Sequence, residues 1–474
     1  MTFIRLLMVS LPLALAGIAV AAPDNELPEP ISRVLDWQNL SRADVSLWVQ
    51  PVDGGPPLLE LNADVPRNPA SVTKLPVSFA ALEVLGPAYT WKTELYVDKA
   101  PRDGVLAGDL WIRGGGDPYL VAEEMWKLVG ALRQTGIRRI EGDLILDDSH
   151  FDIVPRDPAA FDNEPFRAYN QQPHPFLVNF NVLSFHVWPD NEGGGIRVQA
   201  NPPLPGLTLE NRLRPASGPC AGFQRGVSYH VPAPGHVVLE GRHPTACNGY
   251  RLNRVALPPE EYAYRMFKML WEQWGGEFDG GWRRGVRAVS DEQPLLVHES
   301  RPLGELIRLA NKYSSNVMTR HFKLALGVEV YGEPATESKG NAAILRHLAD
   351  RGVDVDGIRL DNAAGLSRNN RFTARQIAAT LAAARESRYM PEFVSSLALS
   401  GMDGTVRRRF RDEAEAGHMH LKTGRLDHVS AVAGYVRTLS GRDLAVVVLV
   451  NAEDAHRGPG EALQDAVLRW AYRQ

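Results

Sequence analysis

The chain has 474 residues, of which 44% are hydrophobic and 23% charged, and a formal net charge of −4. That length suits roughly two to four domains, and the composition is that of ordinary globular protein. A charge so close to balance excludes the strong basic field that nucleic acid or an anionic membrane calls for, and the densest basic run, Arg407-Arg408-Arg409, is followed by Asp412, Glu413 and Glu415 and reads as a solvated face.

The first residues carry Arg5, an apolar run over 6–20, and the small-x-small triplet Ala19-Val20-Ala21 before Pro23. This is the pattern of a cleaved export signal over residues 1–21. The run is shorter than the roughly 20 residues a membrane span needs, and no later segment is long and apolar enough to span. The expectation is an exported chain with no transmembrane segment after cleavage, bacterial and periplasmic, soluble or peripherally attached to a membrane.

Residues 22–45 are rich in proline and acidic residues and end in a predicted helix. Alternation over 45–52 and 58–61 around Gly54-Gly55-Pro56-Pro57 predicts a hairpin. Next comes Arg67-Asn68-Pro69-Ala70-Ser71-Val72-Thr73-Lys74, then an apolar, alanine-rich stretch over 75–85 that suits a buried helix. From about 95 to 285 helical periodicity thins and short strand-like runs alternate with turns. Gly108-Asp109-Leu110 and Gly142-Asp143-Leu144 hint at a repeat. Cys220 and Cys247 lie in this stretch. In an oxidising compartment they are expected to form a disulfide closing a loop of about 26 residues, and two cysteines alone make no zinc signature.

Helical periodicity returns over 303–326, 336–351, 373–385 and 460–472. Residues 429–438 and 443–451 read as a second hairpin, turning at Ser440-Gly441-Arg442. Strands from both ends of the chain are therefore expected to share one antiparallel sheet, with helices packed on it.

Three short motifs carry chemistry. Ser71-x-x-Lys74 at a helix start puts a hydroxyl and an amine on one edge. A lysine kept neutral by burial and by a second cation is able to take the serine proton. The helix N-terminus aims N–H groups at a developing oxyanion. Ser314-x-Asn316 falls within the helix predicted over 303–326, where polar residues need a reason. Ser367-Arg368-Asn369 has the same spacing but follows Gly365 in an apparent loop, where turn formation explains it. Lys422-Thr423-Gly424 precedes the second hairpin. Ser-x-x-Lys, Ser-x-Asn and Lys-Thr-Gly in this order are the set used by serine-acylating, penicillin-recognising enzymes. His418-Met419-His420 places two histidines on one strand face without further ligands, so neither a metal nor another cofactor is expected.

On these motifs the sequence resembles the low-molecular-mass class C penicillin-binding proteins, the D-alanyl-D-alanine carboxypeptidases and endopeptidases. Gly114-Gly115-Gly116-Asp117-Pro118, Gly142 to Asp148, Tyr169-Asn170, Val178-Asn179-Phe180-Asn181, Gly401-Met402-Asp403-Gly404-Thr405 and Ala433-Gly434-Tyr435-Val436 extend the likeness over nearly the whole mature chain. The resemblance implies an α/β (α+β) transpeptidase-like domain in two segments, 22–95 and 285–474. Its antiparallel sheet is flanked by helices and interrupted by a strand-rich insertion at 96–284.

The resemblance also implies the roles. Ser71 attacks the penultimate D-alanine carbonyl, Lys74 acts as base, Ser314 relays a proton and Asn316 holds the substrate backbone. Lys422 and Thr423 bind the terminal carboxylate, and the Ser71 and Arg425 N–H groups form the oxyanion hole. Expected partners are peptidoglycan stem peptides and β-lactams, with a homo-oligomer left open. Two departures stand out: Arg425 where the family has a small hydroxyl residue, and Ala363-Ala364-Gly365-Leu366-Ser367 where it often has Gly-Ser-Gly-Leu-Ser. The rival readings are a β-lactamase or esterase on the same motifs, and a catalytically silent peptidoglycan-binding protein.

Overall fold

The computed structural model describes residues 27–190, 193–220, 222, 226–287 and 292–474. The export-signal expectation on residues 1–21 lies outside them.

The central element is a six-stranded antiparallel sheet. Its strands in chain order are β1 (Val45–Pro51), β2 (Leu59–Leu61), β3 (Ala398–Leu399), β4 (Met419–Leu426), β5 (Val429–Arg437) and β6 (Asp443–Asn451). Their spatial order is β3-β4-β5-β6-β1-β2. The join between the two ends of the chain is β1 on β6, with Val45 opposite Val450 and Pro51 opposite Leu444. Strand β6 is buried on both faces and reads as a continuous apolar run. Its residues sort by the two-residue period of a strand. Val446, Val448 and Val450 pack with Ile31 and Leu35 of the helix Glu29–Trp37 and with Leu463 and Val467 of the helix Pro459–Tyr472. Ala445, Val447 and Leu449 face the opposite layer, with Leu75 and Phe79 of the helix Lys74–Leu85, Ile377 and Leu381.

A second body is built on a five-stranded sheet. Lys92–Val97 and Leu296–Glu299 pair antiparallel at one edge, so the chain enters and leaves this sheet on neighbouring strands. The two Gly-Asp-Leu runs lie side by side and parallel, Leu110 opposite Leu144. Asp109 Oδ1 accepts the Asp143 N–H at 2.8 Å, and Asp143 Oδ1 accepts the Gly281 N–H at 2.8 Å. The repeat is thus one capping device used on successive strands. Three three-stranded sheets extend this body, and Cys220 and Cys247 are disulfide-bonded.

The region expected to be strand-rich also holds two helices, Ala122–Gln134 and Pro259–Gln273. The buried Met125, Leu128, Val129 and Leu132 follow the 3-4-7 spacing of an amphipathic helix, a signal overshadowed by the turn residues around it.

One expected element is broken. The helix predicted over 303–326 is two helices, Leu303–Lys312 and Asn316–Tyr331. Ser314 sits between them with φ 57°, and the Ser315 side chain accepts the Met318 N–H at 3.4 Å as the cap of the second. A left-handed residue followed by an N-cap stops one helix and restarts another.

Candidate active site

The segment before the helix Lys74–Leu85 is pinned from two sides. Asn68 N–H donates to Asn451 Oδ1 at 2.8 Å, and Asn68 Nδ2 donates to the Ser367 carbonyl at 2.8 Å. Asn68 Oδ1 accepts the Ala70 N–H at 2.9 Å, and Ala70 is left-handed, φ 46°. The chain then makes one 3-10 turn, Ala70–Thr73, before the helix begins at Lys74. This helix has no polar stripe and is buried from Lys74 through Leu82, as a helix apolar all round must be. Two glycines admit the turn. A Cβ on Gly424 of β4 would lie 2.5 Å from the Pro69 carbonyl oxygen and 2.9 Å from the Ser71 nitrogen, and one on Gly365 would lie 2.1 Å from the Ala70 carbonyl oxygen. Only hydrogen at both positions lets β4 and the 365 loop close on Ser71.

Lys74 points to Ser71. Its Nζ donates to Ser71 Oγ at 2.9 Å, to Asn316 Oδ1 at 2.8 Å and to the Ala364 carbonyl. Across the cleft, Lys422 Nζ donates to Ser314 Oγ at 2.9 Å and to the Thr423 carbonyl at 2.8 Å. Both lysines are 0% exposed, and the hydrogen-bond partners of both are neutral oxygens. Burial therefore disfavours their charged forms with no carboxylate to offset it. Burial, then the neighbouring charges of Lys422 and Arg320, hold the Lys74 amine well below the usual lysine range. Burial alone brings Lys422 to about 7. A neutral amine 2.9 Å from a serine hydroxyl meets the geometric and protonic requirements of a general base.

Ser71, Ser314, Thr423 and Arg425 line one cavity of about 320 Å³ together with Thr405 and Glu461. Thr423 Oγ1 donates to Thr405 Oγ1 at 2.8 Å. The loop carrying Thr405 is fastened through Asp403, which pairs with Lys312 Nζ at 2.6 Å and accepts the Leu399 N–H at 2.8 Å. Arg425 is exposed and makes no salt bridge among the described residues.

The structure thus brings Ser71, Lys74, Ser314, Asn316, Lys422, Thr423, Gly424 and Arg425 around one cleft. Two contributors carried no motif: the Ala364 carbonyl, a backbone acceptor that any residue supplies, and Thr405, whose segment stood out without a role. Ser367 and Asn369 do not join the cleft. Ser367 Oγ donates to Asp361 Oδ2 at 2.7 Å and accepts the Asn369 N–H at 3.0 Å, which makes a turn.

Two other clusters have ligand-like spacing, His428 with Asp454 and His456, and Asp148 with His174 and Glu260. In both, the histidine Nδ1 atoms accept backbone N–H groups, from Asp454, His428 and Phe176 respectively. A neutral imidazole whose Nδ1 lone pair is engaged carries its proton on Nε2, which leaves no nitrogen to ligate a metal.

A sequence model of the D-Ala-D-Ala carboxypeptidase 3 (S13) family matches residues 28–474. The chain is 28% identical over 480 residues to a D-alanyl-D-alanine carboxypeptidase of Actinomadura sp. (strain R39), covering 96% of this chain and 87% of that one. It is 24% identical over 392 residues to D-alanyl-D-alanine carboxypeptidase DacB of Haemophilus influenzae, covering 81% and 80%. The crystal structure of penicillin binding protein 4 (dacB) from Haemophilus influenzae superposes with a TM-score of 0.80 at 21% identity, over 94% of this chain and 99% of that one. It has the same fold.

Proposed function

The chain belongs to the D-Ala-D-Ala carboxypeptidase 3 (S13) family, and we propose that it hydrolyses peptidoglycan stem peptides ending in D-alanyl-D-alanine, or cross-links of that kind, through an acyl-enzyme on Ser71. The observation that carries this reading is the Lys74 amine, buried, unpaired with any carboxylate, and 2.9 Å from Ser71 Oγ.

Lys74 takes the Ser71 proton as Oγ bonds to the penultimate D-alanine carbonyl carbon. The negative oxygen of the tetrahedral intermediate meets the N–H groups of Ser71 and Arg425. The intermediate collapses as the C–N bond breaks. The proton held by Lys74 returns to the departing nitrogen by way of the Ser314 hydroxyl, and the amino acid leaves as a free amine. Asn316 ties the Lys74 amine to the substrate backbone. Lys422 and Thr423 receive the terminal carboxylate, with Arg425 as an added cation. Water, deprotonated by the same lysine, then releases the acyl group and restores Ser71. A β-lactam opens on Ser71 by the same steps, but its leaving group stays tethered.

The domain partition is read the same way. Residues 22–95 and 285–474 form the reacting domain around an insertion at 96–284. The pairing of Lys92–Val97 with Leu296–Glu299 supports an insertion closed at its neck, with these first and last strands of its sheet reaching a few residues into the first segment and about fifteen into the second. A periplasmic location is supported by the pattern of residues 1–21 and by the bonded Cys220–Cys247 pair. Among the described residues no helix is long and apolar enough to cross a membrane.

The test is a fluorescent penicillin incubated with the mature protein, with Ser71→Ala beside it, followed by denaturing gel and mass spectrometry. A lasting adduct on the native protein only is expected. Rapid penicillin consumption without an adduct would favour a β-lactamase, and neither adduct nor turnover a silent peptidoglycan-binding protein.

A further inference from the structure

The cavity that holds Ser71 does not end at the Lys-Thr-Gly motif. It continues along β4 to the first turns of the helix Pro459–Tyr472, where Arg409, Ser430, Glu461 and Gln464 line it. The sheet explains this reach. Arg425 of β4 stands opposite Ser430 of β5, and Thr423 stands opposite Val432. By the two-residue period of a strand, these four side chains share one face of the sheet. It is the face on which Val432 packs with Leu463 and Val467 of that helix. The helix starts directly over Ser430. A Cβ on Gly460 would lie 2.3 Å from the Ser430 Cβ, so the crossing requires a glycine.

The polar groups here form a chain with one direction. Arg409 is 9% exposed and is fixed by Asp465, whose Oδ1 accepts from Arg409 Nε at 2.9 Å. Arg409 Nη1 donates to Gln464 Oε1 at 3.0 Å, and Gln464 Nε2 donates to Ser430 Oγ at 2.8 Å. A guanidinium has donors only. It therefore sets the Gln464 amide with its oxygen toward Arg409 and its nitrogen toward Ser430. Ser430 Oγ accepts on that side, and its own proton has to go elsewhere. Among the described residues that proton has no acceptor, although Ser430 is only 7% exposed. A nearly buried hydroxyl of this kind on a cavity wall calls for an acceptor supplied from the cavity. The motif hydroxyl is in the opposite condition. Thr423 Oγ1 gives its proton to Thr405 Oγ1 and has to break that bond to reach a carboxylate. Arg425 supplies charge at this level but no hydroxyl.

We propose that Ser430 donates its hydroxyl proton to the terminal carboxylate of the substrate, and that Gln464, held by Arg409, is the positioning residue that keeps this proton turned into the cavity. The inference rests on the acyl-transfer reading above and deepens it. In that reading the terminal carboxylate lies against Thr423 and Arg425. Ser430 faces Arg425 across the strand pair and lines the same cavity. A carboxylate between them takes a charged donor from β4 and a neutral donor from β5. The neutral donor is strengthened by the bonds behind it, because each hydrogen bond in a chain polarises the next. Glu461 lines the cavity as well, but it is exposed, so water and salt screen its repulsion of that carboxylate.

The experiment compares two esters, diacetyl-L-Lys-D-Ala-D-lactate and diacetyl-L-Lys-D-Ala-D-lactamide, which differ only in ending as a carboxylate or an amide. kcat/KM for each is measured on the native protein, S430A, Q464E and the double variant. In S430A the acid-to-amide ratio is expected to fall about tenfold. In Q464E the new carboxylate still accepts from Arg409 but also takes the Ser430 proton, so the hydroxyl remains and is turned away. The ratio is expected to fall at least as far, and no further in the double variant. The lactamide rate reports whether each variant still folds around Ser71. An unchanged ratio in S430A, including one in which both rates drop together as a purely structural role would make them, would overturn the inference and leave the acyl-transfer reading intact. A double variant that loses the product of the two single losses would remove Gln464 as the residue that positions Ser430. Failure of the native protein on both esters, together with failure of penicillin to label Ser71, would overturn the parent reading and the inference with it.

Discussion

Replacing Lys422 by methionine tests the electrostatics of the cleft through stability as well as rate. Burial brings this lysine to about 7 in the folded chain, from an ordinary value of 10.5. Between those values the unfolded chain binds a proton that the folded chain does not, so native stability rises with pH across the interval and is fully recovered only above it. Integration gives a penalty of about 4 kcal/mol at pH 7 and about 1 kcal/mol near pH 9.5. Lys422→Met removes the term. Its stability relative to the native protein is therefore expected to be about 3 kcal/mol more favourable at pH 7 than near pH 9.5. Lys74 shifts in the same direction partly because of Lys422, so relieving that repulsion adds to the change rather than opposing it. Denaturant unfolding of the two proteins at both pH values measures the difference. The second readout is the pH profile of penicillin acylation. With Lys422 gone, Lys74 holds its proton to higher pH, and the acid limb moves upward. An unfolding difference that is the same at both pH values, together with an unmoved acid limb, would refute the reasoning. Lys422 would then titrate as an ordinary lysine.

Two further substitutions probe the cleft. Gly424→Ala places a methyl 2.5 Å from the Pro69 carbonyl oxygen. Displacing Ser71 by even a fraction of that overlap is expected to slow penicillin acylation by about a hundredfold, and an unchanged acylation rate would show that the turn tolerates the shift. Arg425→Ser is expected to lower kcat/KM about tenfold for peptides with a free terminal carboxylate, and much less for the corresponding amides. An equal effect on both, or none, removes Arg425 from carboxylate recognition.

Much of this arrangement was legible because the chemistry resides in side chains whose order along the chain is itself informative. Ser71, Lys74, Ser314, Asn316 and Lys422 are the residue types that acyl transfer requires. The hairpin over 429–451 announced itself by an unbroken apolar pattern around a Ser-Gly turn. What could not be read is backbone. The Ala364 carbonyl leaves no trace in the residue alphabet, and the loss of a hydroxyl at that position is immaterial to an acceptor the main chain supplies. The break at Ser314 was hidden because the apolar spacing of Leu306, Ile307 and Ala310 resumes at Val317 and Met318, so periodicity runs on across a one-turn interruption. Arg320, whose charge helps depress Lys74, carries no motif of its own. Its influence depends on burial, which only the fold determines.

The seam between β1 and β6 has a consequence for how the protein comes into being. Ser71 and its helix are synthesised early, but the strand that bears Lys422 and the one that anchors Asn68 through Asn451 come more than 300 residues later. Closing so long a loop precedes any reward from the contacts it makes, which places this sheet among the slow steps of folding. The second body, whose neck strands pair with each other, has no need to wait for the C-terminal strands. A chain arrested before β6 would possess the serine and its lysine partner yet lack the surface against which they are held. On the acyl-transfer reading proposed above, reactivity toward penicillin is a reporter of completed assembly, and pulse-labelling with a fluorescent penicillin would time the last event in the maturation of this enzyme.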